Sequence, residues 1–171
     1  MQRERITILG CAIDRVNMTE AVEKVTAMVE SEGCRQVITL NAEIIYQAVY
    51  NQALQQMINR ADLVTPDGAG VVWAAKYLGC PVKERVTGID LVTELVRQGA
   101  AKGWQFYFLG ASPGVADEAA SKLTSIYPQL RVVGTGHGYF TTNDETEIVE
   151  AINRSGANIL LVGLGAPRQD F

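Results

Sequence analysis

A single carboxylate stands where an apolar run of the sequence gives way to a helical pattern. The run Leu63-Val-Thr-Pro66 is followed by Asp67 and Gly68, and residues 69–78 then have helical spacing. In open α/β sheets, ligands bind beyond the carboxyl ends of the strands, so an acid at a strand-to-helix junction lies where chemistry takes place. Asp67 is therefore the first candidate for a catalytic group. Pro-Asp-Gly is also an ordinary turn sequence, and Asp is a favoured helix N-cap, so a turn or a cap is the alternative interpretation.

Two further polar side chains follow another predicted strand. Residues 36–40 have the pattern of a buried strand, and Asn41 opens the next helix. Because side chains alternate along a strand, Thr39 and Asn41 point to the same side and are predicted to line a cleft together. The alternative for Asn41 is that it only caps the helix behind it.

Glycines follow a third predicted strand, over residues 104–109. The loop Gly110-Ala-Ser-Pro-Gly114 would let the backbone approach a diphosphate at the start of a helix. It is not the dinucleotide fingerprint G-x-G-x-x-G, and no acidic residue follows the second strand, which weakens an NAD interpretation. A second glycine-rich loop, residues 134–138, ends in Tyr139 and Phe140, which could stack a nucleobase or pack as core or lid aromatics.

The elements that must position these residues alternate between strand and helix and predict an α/β protein. The N-terminal half has short strands and several helices, the first opening at the capping-box sequence Asn17-Met-Thr-Glu20. From Trp104 the order is βαβαβ, with a second capping-box sequence at Thr142-Asn-Asp-Glu145 and a buried third strand over residues 158–162. Such an order requires parallel strands joined by right-handed crossovers, as in Rossmann-like folds.

We expect two parts of the chain with different tasks. Residues 1–101 form an N-terminal α/β subdomain that carries Asp67, and residues 102–171 form the Rossmann-like, nucleotide-binding half. A chain of 171 residues is long enough to bury a core of this kind without disulfides or metals. The chain ends at Phe171, directly beyond a strand end that should line a site, so we expect a C-terminal piece to be missing.

Composition excludes several classes of function. The net charge of −4 argues against a nucleic-acid groove. One histidine, His137, and three widely separated cysteines offer neither a Ser/His nucleophile nor a metal cluster. The thiols suggest a reduced compartment, and no apolar run reaches the length of a signal peptide or a membrane span, so a cytoplasmic protein is expected.

Six short motifs become informative when they are taken together and in order. They are Ile38-Thr-Leu-Asn41, Thr65-Pro-Asp-Gly68, Arg85-Val-Thr-Gly-Ile-Asp90, Phe108-Leu-Gly110, Gly138-Tyr-Phe140 and Gly163-Leu-Gly-Ala-Pro-Arg-Gln169. This set resembles the WecG/TagA/CpsF glycosyltransferase family over almost the whole chain, and most closely its TagA branch. Arg168 and Asp170 stand where the family commonly has Lys and Glu.

The resemblance implies transfer of N-acetylmannosamine from UDP-N-acetylmannosamine to the 4-hydroxyl of N-acetylglucosamine on undecaprenyl diphosphate, with inversion, in building the linkage unit of wall teichoic acid. It implies that Asp67 is the base, that Thr39 and Asn41 orient a sugar, and that Gln169 faces the same cleft. Arg85 or Arg168 would neutralise the leaving diphosphate, alongside the loop amides of Gly110, Ala111 and Gly114. Gly138 and Tyr139 would receive the uracil.

The sequence and the resemblance also predict what accompanies the reaction. No D-x-D motif exists among the aspartates, so we expect transfer without a metal or other cofactor. The acceptor is a lipid, so peripheral attachment to the cytoplasmic face of the membrane is expected, through the missing C-terminal segment, and a homo-oligomer could cover the apolar surface that such a segment would leave. The alternatives are a nicotinamide-dependent oxidoreductase and a non-catalytic nucleotide-binding module in which Asp67 is only a cap.

Overall fold

The structure is a computed structural model that describes residues 4–166 and 168–170, without the side chain of Asp170. It confirms the α/β prediction. The strands of the described residues are β1 (Arg5–Ile8), β2 (Cys11–Asp14), β3 (Val37–Leu40), β4 (Leu63–Pro66), β5 (Gln105–Gly110), β6 (Arg131–Gly136) and β7 (Ile159–Gly163). The helices are α1 (Met18–Val29), α2 (Ala42–Tyr50), α3 (Gln52–Arg60), α4 (Ala69–Tyr77), α5 (Gly88–Lys102), α6 (Val115–Ile126) and α7 (Glu145–Ser155), and a 3-10 turn covers Arg168–Asp170.

The chain divides into two compact units, and the division falls within α5, after Glu94. The first unit contains β1–β4 and α1–α4, and the second contains β5–β7 with α6 and α7.

The first unit is built on a parallel pair of strands with a hairpin clamped against it. β3 pairs with β4 in parallel, with Thr39 opposite Thr65 and Leu40 opposite Pro66. β1 and β2 form an antiparallel hairpin. The carboxylate of Asp14 at the end of the hairpin is 2% exposed, and it accepts a hydrogen bond of 2.8 Å from the backbone amide of Val64 in β4.

The buried charge of Asp14 is fully partnered. Its two oxygens accept hydrogen bonds of 3.0 Å from Nε and Nη2 of Arg5, and Arg5 also donates to the carbonyl of Ala61, the C-cap residue of α3. Breaking a buried pair of this kind by removing one partner typically costs about 3–5 kcal/mol. The clamp therefore fixes the strand that leads to Asp67.

Local signals in the first unit were read correctly from the sequence. Asn17 and Glu20 form the predicted capping box, with the side chain of each accepting from the backbone amide of the other at 2.8 and 3.0 Å. The apolar stripe of α1 is buried through Ala21, Val22 and Val25. The caps of α2 and α3 are Asn41 and Asn51, whose side chains accept from amides three residues later.

The second unit has the predicted βαβαβ order. β5 is the central strand, and it pairs in parallel with β6 on one side and β7 on the other. Its residues Phe106, Tyr107, Phe108 and Leu109 are buried, as is Trp104 before it. The Rossmann-like arrangement is therefore confirmed for this unit.

Three local predictions in the second unit are wrong. Residues 134–136, expected in a loop, continue β6, because Tyr107, Phe108 and Leu109 of β5 pair with them. The predicted buried strand at residues 158–162 lies at an edge of the described sheet, and Leu160 and Val162 are exposed. The second capping box does not form, because α7 begins at Glu145 with Asp144 as its N-cap, so Thr142 and Glu145 are not at the N-cap and third helical positions. The carboxylate of Asp144 accepts from the amide and the hydroxyl of Thr141.

Candidate active site

Asp67 lies directly beyond β4, where parallel pairing brings it beside the end of β3. Its backbone amide donates to the carbonyl of Leu40 at 2.9 Å. Its side chain is half-buried, and Oδ2 accepts from the backbone amide of Gly88 at 3.0 Å. Gly88 is the first residue of α5, so the carboxylate meets the positive end of a helix dipole.

The structure shows that Asp67 does not cap the helix that follows it. The N-cap of α4, the helix directly behind Asp67, is Gly68, and no side chain caps it. Asp67 instead accepts from the first residue of a different helix, α5, twenty-one positions further along the chain. The carboxylate therefore links β4 to α5, and sequence spacing gave no sign of that partner.

Thr39 lies against the same helix start. A Cβ placed on Gly88 would be 3.1 Å from Oγ1 of Thr39 and 3.4 Å from its Cγ2. Glycine at position 88 thus allows the Thr39 side chain to approach the backbone that binds Asp67. Thr39, Gly88 and Asp67 form one cluster, which we call the acid cluster.

Asn41 lies at the edge of the acid cluster. Its Oδ1 accepts from the amide of Ile44 at 2.9 Å, so the predicted cap is present. Its Cβ is 3.9 Å from the position that a Cβ on Gly68 would take, which brings it next to the residue that follows Asp67. The amide nitrogen of Asn41 donates to no described residue, so this side chain can cap α2 and still offer a donor.

Arg85 and Asp90, which flank the start of α5, do not form a pair. Arg85 is exposed and makes no hydrogen bond or ion pair with any described residue. Asp90 is bound instead by Thr87, whose hydroxyl donates to Oδ2 at 2.5 Å and accepts from the Asp90 amide at 3.2 Å. Thr87 is the missed member of this region, and its place three residues before an acid is a capping signal that the sequence does contain.

The predicted loop at the end of β5 is held by its own backbone. Gly110 has φ of 142°, and a Cβ at this position would be 2.3 Å from the carbonyl oxygen of Gly163. Only glycine allows β5 and β7 to approach this closely. Ala111, with φ of 57°, donates to the carbonyl of Gly163 at 3.0 Å and accepts from the amide of Gly138 at 2.8 Å.

Arg168 has a different set of partners from the predicted diphosphate. Nη1 donates to the carbonyl of Gly138 and Nη2 to the carbonyl of Phe140, both at 2.7 Å. The guanidinium also lies over the Phe140 ring, 4.4 Å from its centroid. Arg168 therefore secures the segment that carries Tyr139, which itself is 71% exposed and so is not a core aromatic.

These bonds, with the close approach of Gly110 to Gly163, join five residues that we call the glycine cradle. They are Gly110, Ala111, Gly138, Gly163 and Arg168. Gly114 stands next to it as the N-cap of α6, in the left-handed conformation and without a side-chain cap. The amides of the first turn of α6 are thus not covered by a capping side chain, as an anion site needs. Gln169 is oriented within its own segment, because its Oε1 accepts from the amide of Gly165 at 3.1 Å.

Two carboxylates lie in the first turn of α6, and both have partners. Asp117 accepts from the hydroxyl of Thr135 in β6 at 2.5 Å. Glu118 pairs with Lys122, and the hydrogen bond from Lys122 lowers the pKa of the Glu118 carboxyl. Further along, the backbone hydrogen bond from Thr141 lowers the pKa of the Asp144 carboxyl.

Two concave surfaces of the structure are lined by none of the candidate site residues described above. One is lined by residues 100–103 and 128–131, at the amino ends of β5 and β6. Ligands of parallel sheets bind at the opposite, carboxyl ends. Among residues 4–166 and 168–170, no group of three or more His, Cys, Asp or Glu side chains is placed to hold a metal ion, and no helix there is long and apolar enough to span a membrane.

These features define a parallel α/β protein with polar residues and glycines at its strand ends. The chain belongs to the WecG/TagA/CpsF glycosyl transferase family, whose family model matches residues 6–171.

Two curated relatives carry the same name, N-acetylglucosaminyldiphosphoundecaprenol N-acetyl-beta-D-mannosaminyltransferase. The protein of Bacillus spizizenii is 32% identical over 135 residues, which is 79% of this chain and 52% of the relative. The protein of Staphylococcus aureus (strain NCTC 8325) is 30% identical over 168 residues, which is 97% of this chain and 65% of the relative. The chain therefore spans between about half and two thirds of the length of these relatives.

Proposed function

We propose that this protein is an inverting hexosyltransferase that moves N-acetylmannosamine from UDP-N-acetylmannosamine to the 4-hydroxyl of N-acetylglucosamine on undecaprenyl diphosphate. The family and the names of the relatives support this reaction class. The observation that carries the proposal is the half-buried carboxylate of Asp67 at a strand end, held by the described residues through one oxygen, Oδ2. The product would belong to the linkage unit of wall teichoic acid.

In a single inverting displacement, the acceptor oxygen forms a bond to the anomeric carbon while the bond from that carbon to the diphosphate breaks. The hydroxyl proton moves to a base, and UDP leaves with the bonding electrons. Asp67 is the proposed base. Because Oδ2 is bound by the amide of Gly88, the carboxylate is held in one orientation, and no described donor engages its other oxygen, Oδ1. Such a positioned base typically contributes about 10²–10⁴-fold to the rate.

The remaining roles follow from the hydrogen-bonding groups and charges that each side chain still has available. Thr39 and Asn41 bind hydroxyl or amide groups of a sugar, since Asn41 keeps its amide nitrogen while it caps α2. Arg85, exposed and without a described partner, is the proposed cation for the leaving diphosphate. Arg168 serves the donor indirectly, because its guanidinium is occupied by two carbonyl groups.

The donor nucleotide is assigned to the second unit. The amides beyond Gly110, Ala111 and Gly114 would receive the diphosphate, and the exposed ring of Tyr139, next to Gly138, would stack on the uracil. Gln169 would donate through its amide nitrogen, since its oxygen is engaged by Gly165.

We further propose that the transfer needs no metal ion and that the protein works as a peripheral protein at the cytoplasmic face of the membrane. The absence of a D-x-D motif supports the first point. Backbone amides and arginine then have to stabilise the leaving diphosphate, which is electrostatic stabilisation of the kind that is the largest contribution in many enzymes.

The experiment is a transfer assay with UDP-N-acetylmannosamine and a lipid-diphosphate N-acetylglucosamine acceptor, following UDP release and the glycosylated product. We expect product with the donor of this epimer and unchanged turnover in the presence of a chelator. UDP release that requires added magnesium or manganese would contradict metal independence. A thermal shift with NAD and none with UDP would favour the oxidoreductase alternative.

One observation favours a second candidate, a nucleotide-binding module without transferase activity. The bond from the amide of Gly88 to Asp67 gives the carboxylate a structural task, because it satisfies an amide at the start of α5. This candidate predicts UDP binding without sugar transfer, and a substitution that keeps the bond but removes the base separates the two.

A further inference from the structure

Four large aromatic side chains on α2 and α4 are exposed. They are Tyr46 and Tyr50 on α2 and Trp73 and Tyr77 on α4, with exposed fractions between 64% and 78%. We call these four residues the aromatic patch. Single exposed apolar residues are normal on protein surfaces, but a group of large ones marks a binding surface.

The two helices of the aromatic patch start side by side. A Cβ on Gly70 of α4 would be 3.2 Å from the Cβ of Ala42 of α2. The aromatic residues follow four and eight positions beyond Ala42, and three and seven positions beyond Gly70, which are the spacings of one helix face. At 1.5 Å per residue, they lie about 5–12 Å along the helices from this point of contact.

Each helix holds its own pair of rings in contact. Tyr46 and Tyr50 meet edge to face with centroids 5.3 Å apart, and Trp73 and Tyr77 are stacked with centroids 5.4 Å apart. Each pair therefore presents one joined aromatic surface on its helix.

The aromatic patch also adjoins the acid cluster. α2 begins directly after Asn41, and α4 begins after Gly68, the residue next to Asp67. All of these residues belong to the first unit. A molecule with its sugar at Asp67 would therefore have the aromatic patch roughly one to two helical turns away.

We propose that the aromatic patch inserts into the interfacial layer of a bilayer and there receives the polyisoprenoid end of the acceptor. This inference rests on the proposed function, because the relatives are named for an acceptor that ends in undecaprenol. Tyrosine and tryptophan combine an apolar body with a polar tip and are enriched where membrane meets water.

The charges on the two helices indicate how the aromatic patch binds. Glu43 and Lys76 are exposed on α2 and α4, so the charges on these two helices largely balance. Attachment therefore depends on partitioning of the rings rather than on attraction to anionic headgroups, and it should change little between low and moderate salt.

The chain carries its own reporter for this contact. Of its two tryptophans, Trp104 is 7% exposed and belongs to the second unit, whereas Trp73 lies in the aromatic patch. With vesicles of brominated phosphatidylcholine, we expect quenching and a blue shift of the Trp73 emission, and no quenching in Trp73→Phe. Emission that stays unchanged at saturating vesicle concentration would overturn the proposal.

Substitutions test whether the aromatic patch carries the binding. Trp73→Ser combined with Tyr77→Ser should lower the vesicle-bound fraction in flotation by about tenfold or more, as expected when two interfacial side chains are removed. Ile126→Ser is the matched control, because Ile126 is 67% exposed on α6, outside the aromatic patch, and its loss should change nothing. Equal losses in both variants would overturn the proposal.

A second copy of the chain is the other occupant that such a surface could accept. Light scattering of the unmodified protein and of the double variant decides this point. A dimer that the double variant converts to a monomer, together with absent quenching by lipid, would assign the aromatic patch to self-association and refute the membrane contact.

An activity comparison separates this proposal from the proposed function. With an acceptor embedded in vesicles, the double variant should raise KM about tenfold, and with a short-chain, water-soluble acceptor it should match the unmodified protein. Quenching of Trp73 without transfer to either acceptor would support the membrane contact and reject the transferase. Transfer to both acceptors, with no difference between the double variant and the unmodified protein, would support the transferase and reject the membrane contact.

Discussion

The two units place polar groups at the carboxyl ends of parallel strands, but they hold these groups by different means. In the first unit, the acid cluster consists of side chains, with Asp67 and Thr39 meeting the start of α5 at Gly88. In the second unit, the glycine cradle is a set of backbone bonds among Gly110, Ala111, Gly138 and Gly163, secured by one arginine.

This difference has a chemical meaning. A proton acceptor must be a side chain, because backbone amides and carbonyls do not titrate near neutral pH, and its orientation depends on neighbours that can be substituted. A diphosphate can be bound by backbone amides, which every residue except proline retains, so most substitutions act on them only through the conformation. We therefore expect variants of the acid cluster to change turnover, and variants of the glycine cradle to change donor affinity.

The largest effect is expected at Asp67. Asp67→Asn keeps an oxygen that can accept from the amide of Gly88, so the start of α5 stays satisfied while the base is lost. Turnover should fall about 10²–10⁴-fold, with UDP affinity nearly unchanged in calorimetry. The control is Asp90→Asn, which alters an exposed carboxylate in the first turn of the same helix. Equal turnover in Asp67→Asn would leave Asp67 as a structural link and favour the nucleotide-binding module.

A smaller effect, on affinity rather than on turnover, is expected at Arg168. Arg168→Lys replaces a planar fork by a single ammonium group, which cannot reach the carbonyls of both Gly138 and Phe140 and stacks less well on the ring. We expect UDP affinity to fall about tenfold, or about 1.4 kcal/mol, while turnover at saturating donor changes little.

Arg154→Lys provides the matched control for this substitution. Arg154 is an exposed arginine of α7 in the same unit, and among the described residues it pairs with Glu150 one turn earlier. Its replacement should leave UDP affinity unchanged. A loss of turnover in Arg168→Lys without a loss of affinity would place this arginine at the chemistry and break the division of tasks between the two units.

The sequence predicted elements well where the signal was local. The capping box at Asn17 and the cap at Asn41 formed as expected, because each depends on residues three positions apart. The βαβαβ order was also correct, since it follows from alternating periodicity. The equally local signal at Thr142 failed, because α7 begins two residues later than this signal requires, with Asp144 at its N-cap.

The candidate sites were predicted less completely, for a physical reason. The bonds that define them join residues far apart in the chain, such as Asp67 with Gly88 and Arg168 with Gly138. Neither periodicity nor a turn signal encodes such a pair. Position at a strand end made Asp67 a candidate, but it did not show which neighbour would orient the carboxylate.

The smallest expected effect would sharpen the description of the acid cluster. Gly88 does not have a positive φ, so alanine is compatible with its backbone and, in the first turn of α5, should not lower the free energy of unfolding. The added methyl group would lie 3.1 Å from Oγ1 of Thr39, which must move by a few tenths of an ångström. We expect turnover to fall several-fold at unchanged melting temperature.

A double-mutant cycle shows whether this effect passes through Thr39. Thr39→Ala removes both atoms that the new methyl group would crowd, Oγ1 and Cγ2, and leaves Cβ at 3.5 Å. If Gly88→Ala acts by displacing Thr39, it should have no further effect on turnover in the Thr39→Ala background, because contacting residues are coupled. Additive losses would mean that the alanine disturbs Asp67 or α5 directly. The acid cluster would then depend on the backbone at the start of α5, as the glycine cradle depends on its own backbone.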